Sequence, residues 1–422
     1  MSFVDHPLRE RVVSEMHMRR TPPLQAPTLM LQVVRLVDAS ERDDERAYVE
    51  KMPGVHADKV LIRNRHIGGE RDDGASFLWE RHSEATTATV ILPRSTDNPF
   101  ETSEVDEAAI EWLTSAPGGA IRAVRIGIVK DEATAEAIID SLGFSAPELV
   151  SCHIAGVRIW TDFLVRADNF GRLLVAANGM VPADLGRLVQ QIQELGNYRN
   201  LALLGLPLAQ SEAPRVAELE NELVAIAGRM AQGEADANLL DKLCTLSANV
   251  SAITAETAFR MSATAAYAQI TNDRLDALKA EGLAGFQTLQ EFTDRRFLPA
   301  TRTCASFVAR LEALSVRIER STSLLRTRVE MTLQTQNSDL LRSMDTNAAR
   351  QLRLQHLVEG LSVVAVSYYA LSLISYPLRA LAIETHIRYE YLVAASVLPV
   401  VGLVWLYLRR RVQQINNPSD SK

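Results

Sequence analysis

Cysteine is scarce in this sequence of 422 residues, which contains only Cys152, Cys244 and Cys304. The three cysteines lie far apart and form neither a CxxC pair nor a cysteine–histidine spacing typical of a zinc site. So small and odd a number is typical of proteins that work in a reducing compartment.

Recognisable catalytic motifs are also missing. The sequence has no GxSxG nucleophile elbow, no HExxH zinc motif and no glycine-rich phosphate loop that leads into a helix. Cys152 and His153 are adjacent, which places their side chains on opposite faces of a strand and disfavours a Cys–His nucleophile. We therefore expect no enzymatic activity, and no cofactor can be assigned.

An excess of positive charge is absent as well. The chain has 45 basic and 52 acidic residues, which give a net charge of -7. This balance disfavours a protein that coats nucleic acid, and we expect no nucleic-acid partner. With 47% hydrophobic residues, the chain is long enough for two or three domains with buried cores.

Long uncharged runs occur near the C-terminus. Residues 360–376 and 391–408 contain no charged side chain. As helices they would measure about 26 and 27 Å, close to the roughly 30 Å hydrocarbon core of a bilayer. The first ten residues instead carry charges and Pro7, where a signal peptide needs an apolar stretch. The pattern predicts a C-terminal transmembrane hairpin rather than the buried hairpin of a soluble core.

Flanking arginines predict how the two spans are oriented. Five arginines lie at the outer ends of the spans, namely Arg350, Arg353, Arg409, Arg410 and Arg411. The connection between the spans contains only two, Arg379 and Arg388. Positive charge favours the cytoplasmic side, so we expect both termini in the cytoplasm and a multi-pass protein of the bacterial inner membrane.

The fold class predicted for the chain is α+β. Residues 1–180 are predicted to form a cytoplasmic mixed α/β domain. The predicted strands are 77–81, 85–92, 121–129, 149–154, 157–166 and 172–177, and the predicted helices are 104–114 and 132–142. Gly68-Gly69 and Arg71-Asp72-Asp73-Gly74 predict a hairpin-like turn.

From Pro182 onward the pattern is helical, and residues 181–356 are predicted to form a helical bundle or stalk. Residues 300–359 contain no glycine or proline and would extend about 90 Å as one helix. Leu311, Ile318 and Leu325 recur every seven residues, and Leu314 and Val329 add partial a/d positions, which indicates a coiled-coil seam. We therefore expect a homo-oligomer through the stalk, followed by two spans in 357–411 and a cytoplasmic tail at 412–422.

Nine short motifs resemble those of a known family. They are His6-Pro7-Leu8-Arg9, Glu15-Met16-His17, Trp79-Glu80-Arg81-His82, Thr161-Asp162-Phe163, Leu203-Leu204-Gly205-Leu206-Pro207, Arg295-Arg296, Arg302-Thr303-Cys304, Leu324-Leu325-Arg326-Thr327-Arg328-Val329 and Glu359-Gly360-Leu361-Ser362. The chain resembles a bacterial family of uncharacterised membrane-anchored proteins, a domain of unknown function. The resemblance implies a single-family protein and no known activity. Arg20 and Ala85 depart from the family pattern, which has Pro and Phe there.

The order of domains also resembles that of CorA-type magnesium channels. Those channels end their first span with Gly-Met-Asn, which binds hydrated cation at the pore mouth. Here the matching place reads Ile374-Ser375-Tyr376-Pro377-Leu378, so the motif is absent.

Two polar residues on one predicted strand, Glu80 and His82, are candidate metal ligands. Period-two alternation puts them on one face, and the predicted turn would bring His66 alongside. An ordinary exposed sheet face with a cross-strand charge pair explains the same pattern and is favoured. The segment from His6 to His17 is interpreted as a structural docking strap, because even on one helix the two rings would stand about 16 Å apart along its axis.

A small, mildly polar stripe follows the first predicted span. At 100° per residue, its members fall within an arc of about 80°, and they are Ser362, Ala365, Tyr369, Ser372 and Tyr376. In lipid such a stripe is typical of a helix contact, and Glu359 lies at its cytoplasmic end. Contact with the second span and contact with another copy are both open. A water-filled pore is a third alternative, disfavoured because neither span contains a charge.

The sequence as a whole predicts a non-enzymatic, cytoplasm-facing membrane protein that mediates assembly or partner binding. The alternative from another class is an oligomeric CorA-like divalent cation channel or transporter. An enzyme with an unrecognised site in the N-terminal domain comes third.

Overall fold

The computed structural model describes residues 4–10, 12–13, 21–56, 59–63, 65–101, 103–234, 237–385 and 388–416. It divides into two compact units, Met1–Thr322 and Ser323–Lys422. The N-terminal unit contains the sheet and a helical bundle. The C-terminal unit contains the remainder of one very long helix and the last helix.

A ten-stranded mixed sheet organises the N-terminal unit. Its strands are β1 (Thr28–Leu36), β2 (Val60–Arg63), β3 (His66–Glu70), β4 (Ser76–Arg81), β5 (Ala85–Pro93), β6 (Gly119–Val129), β7 (Val150–Ile154), β8 (Val157–Thr161), β9 (Gly171–Ala176) and β10 (Glu281–Gly282). Their order is β10-β7-β8-β9-β6-β1-β5-β4-β3-β2. The β6–β9 pair is parallel, and the other strand pairs are antiparallel.

Helices cover both faces of this sheet. They are α1 (Arg42–Val49), α2 (Glu104–Thr114), α3 (Glu132–Ile138), α4 (Pro182–Leu203), α5 (Gly205–Ala231), α6 (Ala237–Leu278), α7 (Leu289–Thr385) and α8 (Tyr389–Asn416). One apolar cluster joins β6 and β9 to α4, the end of α6 and the start of α7. Another joins β1 and β5 to α1 and α2 on the opposite face. The sheet is therefore the middle layer of three.

The predicted α+β class is confirmed, with the long helix and the two candidate spans. Helix α4 begins at Pro182 as the sequence predicts, because proline fits the first turn, where its missing N–H costs nothing. Helix α7 runs for 97 residues and continues through Gly360. The stalk pattern and the first span thus belong to one helix.

Several local predictions were wrong. The predicted strand 157–166 ends at Thr161, where the chain leaves the sheet. Gly68 and Gly69 lie within β3 rather than in a turn, and the turn is formed by 71–74 alone. Strand β1, at the centre of the sheet, was missed because it is buried almost throughout and so lacks the alternation that marks a half-buried strand.

The heptad seam is buried within its own chain. Leu311, Leu314 and Ile318 are 4%, 1% and 2% exposed in the N-terminal unit. These positions therefore need no second copy to cover them. Self-association through the stalk stays a prediction, but these three side chains no longer support it.

Candidate functional site

Two helices of the C-terminal unit are long and apolar enough to cross a membrane. The most apolar window of α7 has a mean hydropathy of 1.7 and that of α8 has 2.1, and only 6% and 0% of these windows are buried inside the chain. The length and composition of the two helices alone support this assignment. The predicted stripe lies on α7.

One face of α7 is covered within this unit. Buried or half-buried side chains recur every three to four residues at Val363, Ser367, Ala370, Ile374 and Leu378. Ser367 is only 3% exposed, and Val400 at the middle of α8 is 8% exposed. This spacing identifies the less exposed face of α7.

The predicted stripe lies on the opposite face of α7. At 100° per residue, Ser367 stands about 180° from the centre of the stripe. Ala365 and Ser372 are exposed, Tyr369 is 67% exposed and Tyr376 is 73% exposed. Ser362 and Glu359, at the N-terminal end of the stripe, are half-buried. The stripe is thus largely uncovered in the single chain.

The predicted pair of Glu80 with His66 is present at the β3–β4 contact. The two residues are cross-strand neighbours, and His66 Nδ1 lies 3.4 Å from Glu80 Oε1. His82 lies just after β4, with Nε2 3.1 Å from Thr87 Oγ1. Within the described ranges, no group of three His, Cys, Asp or Glu residues could hold a metal ion. His17 and Arg20, which the sequence singled out, lie outside these ranges.

A cavity of about 510 Å³ lies in the N-terminal unit beside the first half of β6. Strand β9 pairs with β6 only from Val124 onward, which leaves the edge of residues 119–123 open on that side. Helix α4 and the segment after β8 line the gap. The volume lies within the range of small-molecule sites, and no motif in the sequence pointed to it.

Arg122 and Arg199 are two of the four arginines that line this cavity in the described part of the chain. Arg122 comes from β6, and its Nη1 donates hydrogen bonds to Gln32 Oε1 at 3.0 Å and to Asn197 Oδ1 at 2.8 Å. Arg199, on α4, stacks over the ring of Phe163, with Cζ 4.2 Å from the ring centroid. Arg199 forms no hydrogen bond or ion pair with another described residue, so its guanidinium keeps its donors for other partners.

The cavity is strongly biased towards positive charge. Burial and, to a smaller extent, the neighbouring charge of Arg199 lower the pKa of Arg122 to about 9. Burial also lowers the pKa of Arg199 to about 10. Both values lie well above 7, so both groups are charged at neutral pH. Arg35 and Arg172 also line the cavity, whereas no Asp or Glu does so in the described part of the chain.

A glycine in α4 makes room for Arg122. A Cβ added at Gly196 would come within 2.8 Å of Arg122 Nε and Nη2. Glycine inside a helix costs roughly 0.5 to 1 kcal/mol relative to alanine. Here the missing side chain lets the guanidinium pass between β6 and α4.

The segment after β8 forms one wall, and its backbone is fixed by a buried carboxylate. Asp162 is 1% exposed and accepts hydrogen bonds from Ser145 N at 2.9 Å and Arg166 Nη2 at 2.6 Å. Phe163 has a φ of 57°, which is unusual for an aromatic residue. Its ring stacks on Phe292 with centroids 4.5 Å apart. This conformation turns Phe163 into the cavity and ends the strand predicted to continue to residue 166.

Two signals in the sequence could have found this cavity. Arg122 interrupts the apolar run of β6, where a buried charge needs a partner. Gly196 stands in the middle of a helix that the sequence predicts from Pro182, where a glycine without a packing reason is unfavourable.

A comparison with known families identifies the chain. A family model described as "Protein of unknown function (DUF3422)" matches residues 4–415. No curated protein matches the chain. The match gives no support to a relationship with CorA-type channels. Because it spans nearly the whole sequence and agrees with the resemblance carried by the nine motifs, the chain belongs to the DUF3422 family, whose function is unknown.

Proposed function

We propose that this protein is a cytoplasm-facing assembly or partner-binding protein of the bacterial inner membrane, anchored by α7 and α8. Both termini lie in the cytoplasm in this proposal, because five arginines flank the outer ends of the spans and two lie in their connection. No catalytic role is included, since neither the sequence motifs nor the family supplies one.

The observation that carries the proposal is the difference in exposure between two faces of α7. The face of Ser367 is covered within the chain, while the face of Tyr369 and Ser372 is left open. Tyr369 lies near the middle of the uncharged run, where a hydroxyl exposed to hydrocarbon has no water to bind. A second copy of α7 would approach closely over Ala365 and Ser372 and would offer hydroxyl partners. The proposed assembly is therefore a homo-oligomer through this face.

Disulfide cross-linking in native membranes tests this assembly. The starting variant lacks the natural thiols, through Cys152→Ala, Cys244→Ala and Cys304→Ala. Added to it, Ser372→Cys is expected to give covalent dimers on mild oxidation. Ser367→Cys is the control, since Ser367 lies five residues earlier on the same helix and is only 3% exposed. Equal cross-linking of both, or none with Ser372→Cys, would contradict the proposal.

A divalent cation channel is the alternative function, and the same open stripe favours it to a limited degree. Copies arranged around an axis could turn the hydroxyls of the stripe towards water, with Glu359 forming an anionic ring. The absence of charge within either span favours a dry contact. In proteoliposomes we expect no Mg²⁺ flux above empty vesicles for the natural sequence, Glu359→Ala or Ser372→Leu. A flux that Ser372→Leu blocks would favour the channel.

A further inference from the structure

We propose that the cavity beside β6 is a binding site for a small organic anion, with its charged group between Arg122 and Arg199 and an apolar body against Phe163. A phosphate monoester or a carboxylate supplies the required charge. The cavity lies in the N-terminal unit, and this proposal is independent of the assembly proposed above.

The first argument is unbalanced charge. Both arginines line the cavity and are half-buried, and neither forms an ion pair with a carboxylate of the described chain. Charges that are withdrawn from water are normally paired, since an unpaired one loses hydration without compensation. Gln32 and Asn197 give Arg122 two amide oxygens but no negative charge. An anion would supply what the protein itself does not.

The second argument separates binding from a purely structural role. Arg122 alone could be explained as a strut that joins β6, β1 and α4 through its hydrogen bonds. Arg199 has no such explanation, because it stacks on the Phe163 ring and forms no hydrogen bond with another described residue. A guanidinium with open donors beside a second cation suits bidentate binding of phosphate or carboxylate.

The third argument concerns the rest of the ligand. The cavity has about 510 Å³, far more than an inorganic ion needs. Apolar side chains supply much of its wall, among them Val124, Ile159, Phe163, Phe170 and Leu195. Sites of this kind bind ligands whose bodies are apolar and whose few polar groups fix the orientation. The ligand class is therefore an anion attached to an aromatic or aliphatic group.

The site is also formed in advance. The absence of a side chain at Gly196 admits the Arg122 guanidinium, and Phe163 is held at a positive φ by its stacking and by the fixed segment around Asp162. Unusual backbone conformations that the surroundings enforce concentrate at ligand sites.

Calorimetric titration of the full chain in lipid nanodiscs tests the proposal. The probes are phenyl phosphate, benzoate, inorganic phosphate and benzyl alcohol, which separate charge from apolar body. We expect phenyl phosphate to bind most tightly, benzoate and inorganic phosphate more weakly, and benzyl alcohol not measurably. Binding of no anion, or equal binding of benzyl alcohol, would overturn the site. Inorganic phosphate binding as tightly as phenyl phosphate would overturn the apolar half of the ligand.

Two variants locate the binding in the cavity. Arg199→Gln removes a charged donor that holds no structural bond, and it should weaken phenyl phosphate binding about tenfold or more. Arg187→Gln is the matched control, since Arg187 is an exposed arginine of the same helix and its loss should change nothing. Gly196→Ala should weaken binding by displacing Arg122, whereas Gly228→Ala in α5, with open space around it, should not. Unchanged affinity in Arg199→Gln would overturn the proposal.

Discussion

Gly196 and Arg122 are complementary, because a Cβ on Gly196 would occupy the space within 2.8 Å of the Arg122 guanidinium. The atoms it would meet are the far end of a flexible side chain, which can swing away at low cost. A methyl group at this position therefore moves a functional group without breaking the backbone packing of α4.

The variant Gly196→Ala should consequently fold almost as stably as the natural protein. The helix gains roughly 0.5 to 1 kcal/mol from alanine, and weakened Arg122 hydrogen bonds cost about 1 kcal/mol each. Thermal unfolding should place its midpoint within about 4 °C of the natural protein. Gly228→Ala, which meets no neighbour, should raise the midpoint. A collapse of Gly196→Ala would show that Arg122 cannot move.

Acid should destabilise the contact of α3 with β7 and β8 through Glu132. Hydrogen bonds from His153 at 3.0 Å and Arg158 at 2.9 Å, with one from Asn178, hold the pKa of Glu132 at about 2. A folded-state pKa below the unfolded one contributes stability above the unfolded pKa, and this contribution is lost as pH falls. The window therefore extends from about 4.5 down to about 2.

Thermal midpoints measured across this window check the prediction. The natural protein should lose stability more steeply than Glu132→Gln, which has no carboxylate to protonate. Glu136→Gln is the control, since Glu136 is 64% exposed and its removal should leave the pH dependence nearly unchanged. Parallel curves for the natural protein and Glu132→Gln would refute the assignment.

The buried seam of α7 predicts a loss of stability rather than of assembly. Leu314 is 1% exposed, so Leu314→Ala should lower the unfolding free energy by roughly 2 to 5 kcal/mol through the cavity it creates. Leu324, which is 64% exposed, provides the comparison. Leu324→Ala should change the unfolding free energy by less than about 0.5 kcal/mol. Light scattering of both variants in detergent should report the same mass as the natural protein. Dissociation by Leu314→Ala without destabilisation would mean that the seam lies between copies.

The orientation of the hairpin can be read with a reporter enzyme that is active only in the periplasm. Fused at the C-terminus, the reporter should be inactive, because the arginines that follow the second uncharged run favour the cytoplasm. Fused in the connection between α7 and α8, it should be active. The reverse pattern would invert the topology.

The sequence predicted the elements whose signals are local. The proline at residue 182, the long run without a helix breaker and the alternating strands β4 to β9 were all readable in this way. Strand β1 was not, because burial on both faces removes its alternation. The end of β8 was missed because the conformation of Phe163 depends on Asp162 and on the ring of Phe292, which follows 129 residues later.

The sequence signals at Arg122 and Gly196 could not have shown the size of the cavity or its second arginine, for a related reason. Arg122 and Arg199 come from a strand and a helix far apart in the chain, and only the register of β6 against β9 creates the gap between them. The heptad seam shows the same limit, since spacing indicates that Leu311, Leu314 and Ile318 are buried but not whether their own chain or another copy buries them.

Because β10 comes late in the chain, the sheet can be completed only late in synthesis. Glu281 pairs with His153 across β7, so the sheet cannot be completed until the chain has been made as far as Gly282. The first uncharged run begins about 80 residues later, which at typical rates of about 5 to 20 residues per second takes roughly 4 to 16 s. All ten strands are thus synthesised several seconds before the first uncharged run. The N-terminal sheet can therefore close on the ribosome before the first span reaches the membrane.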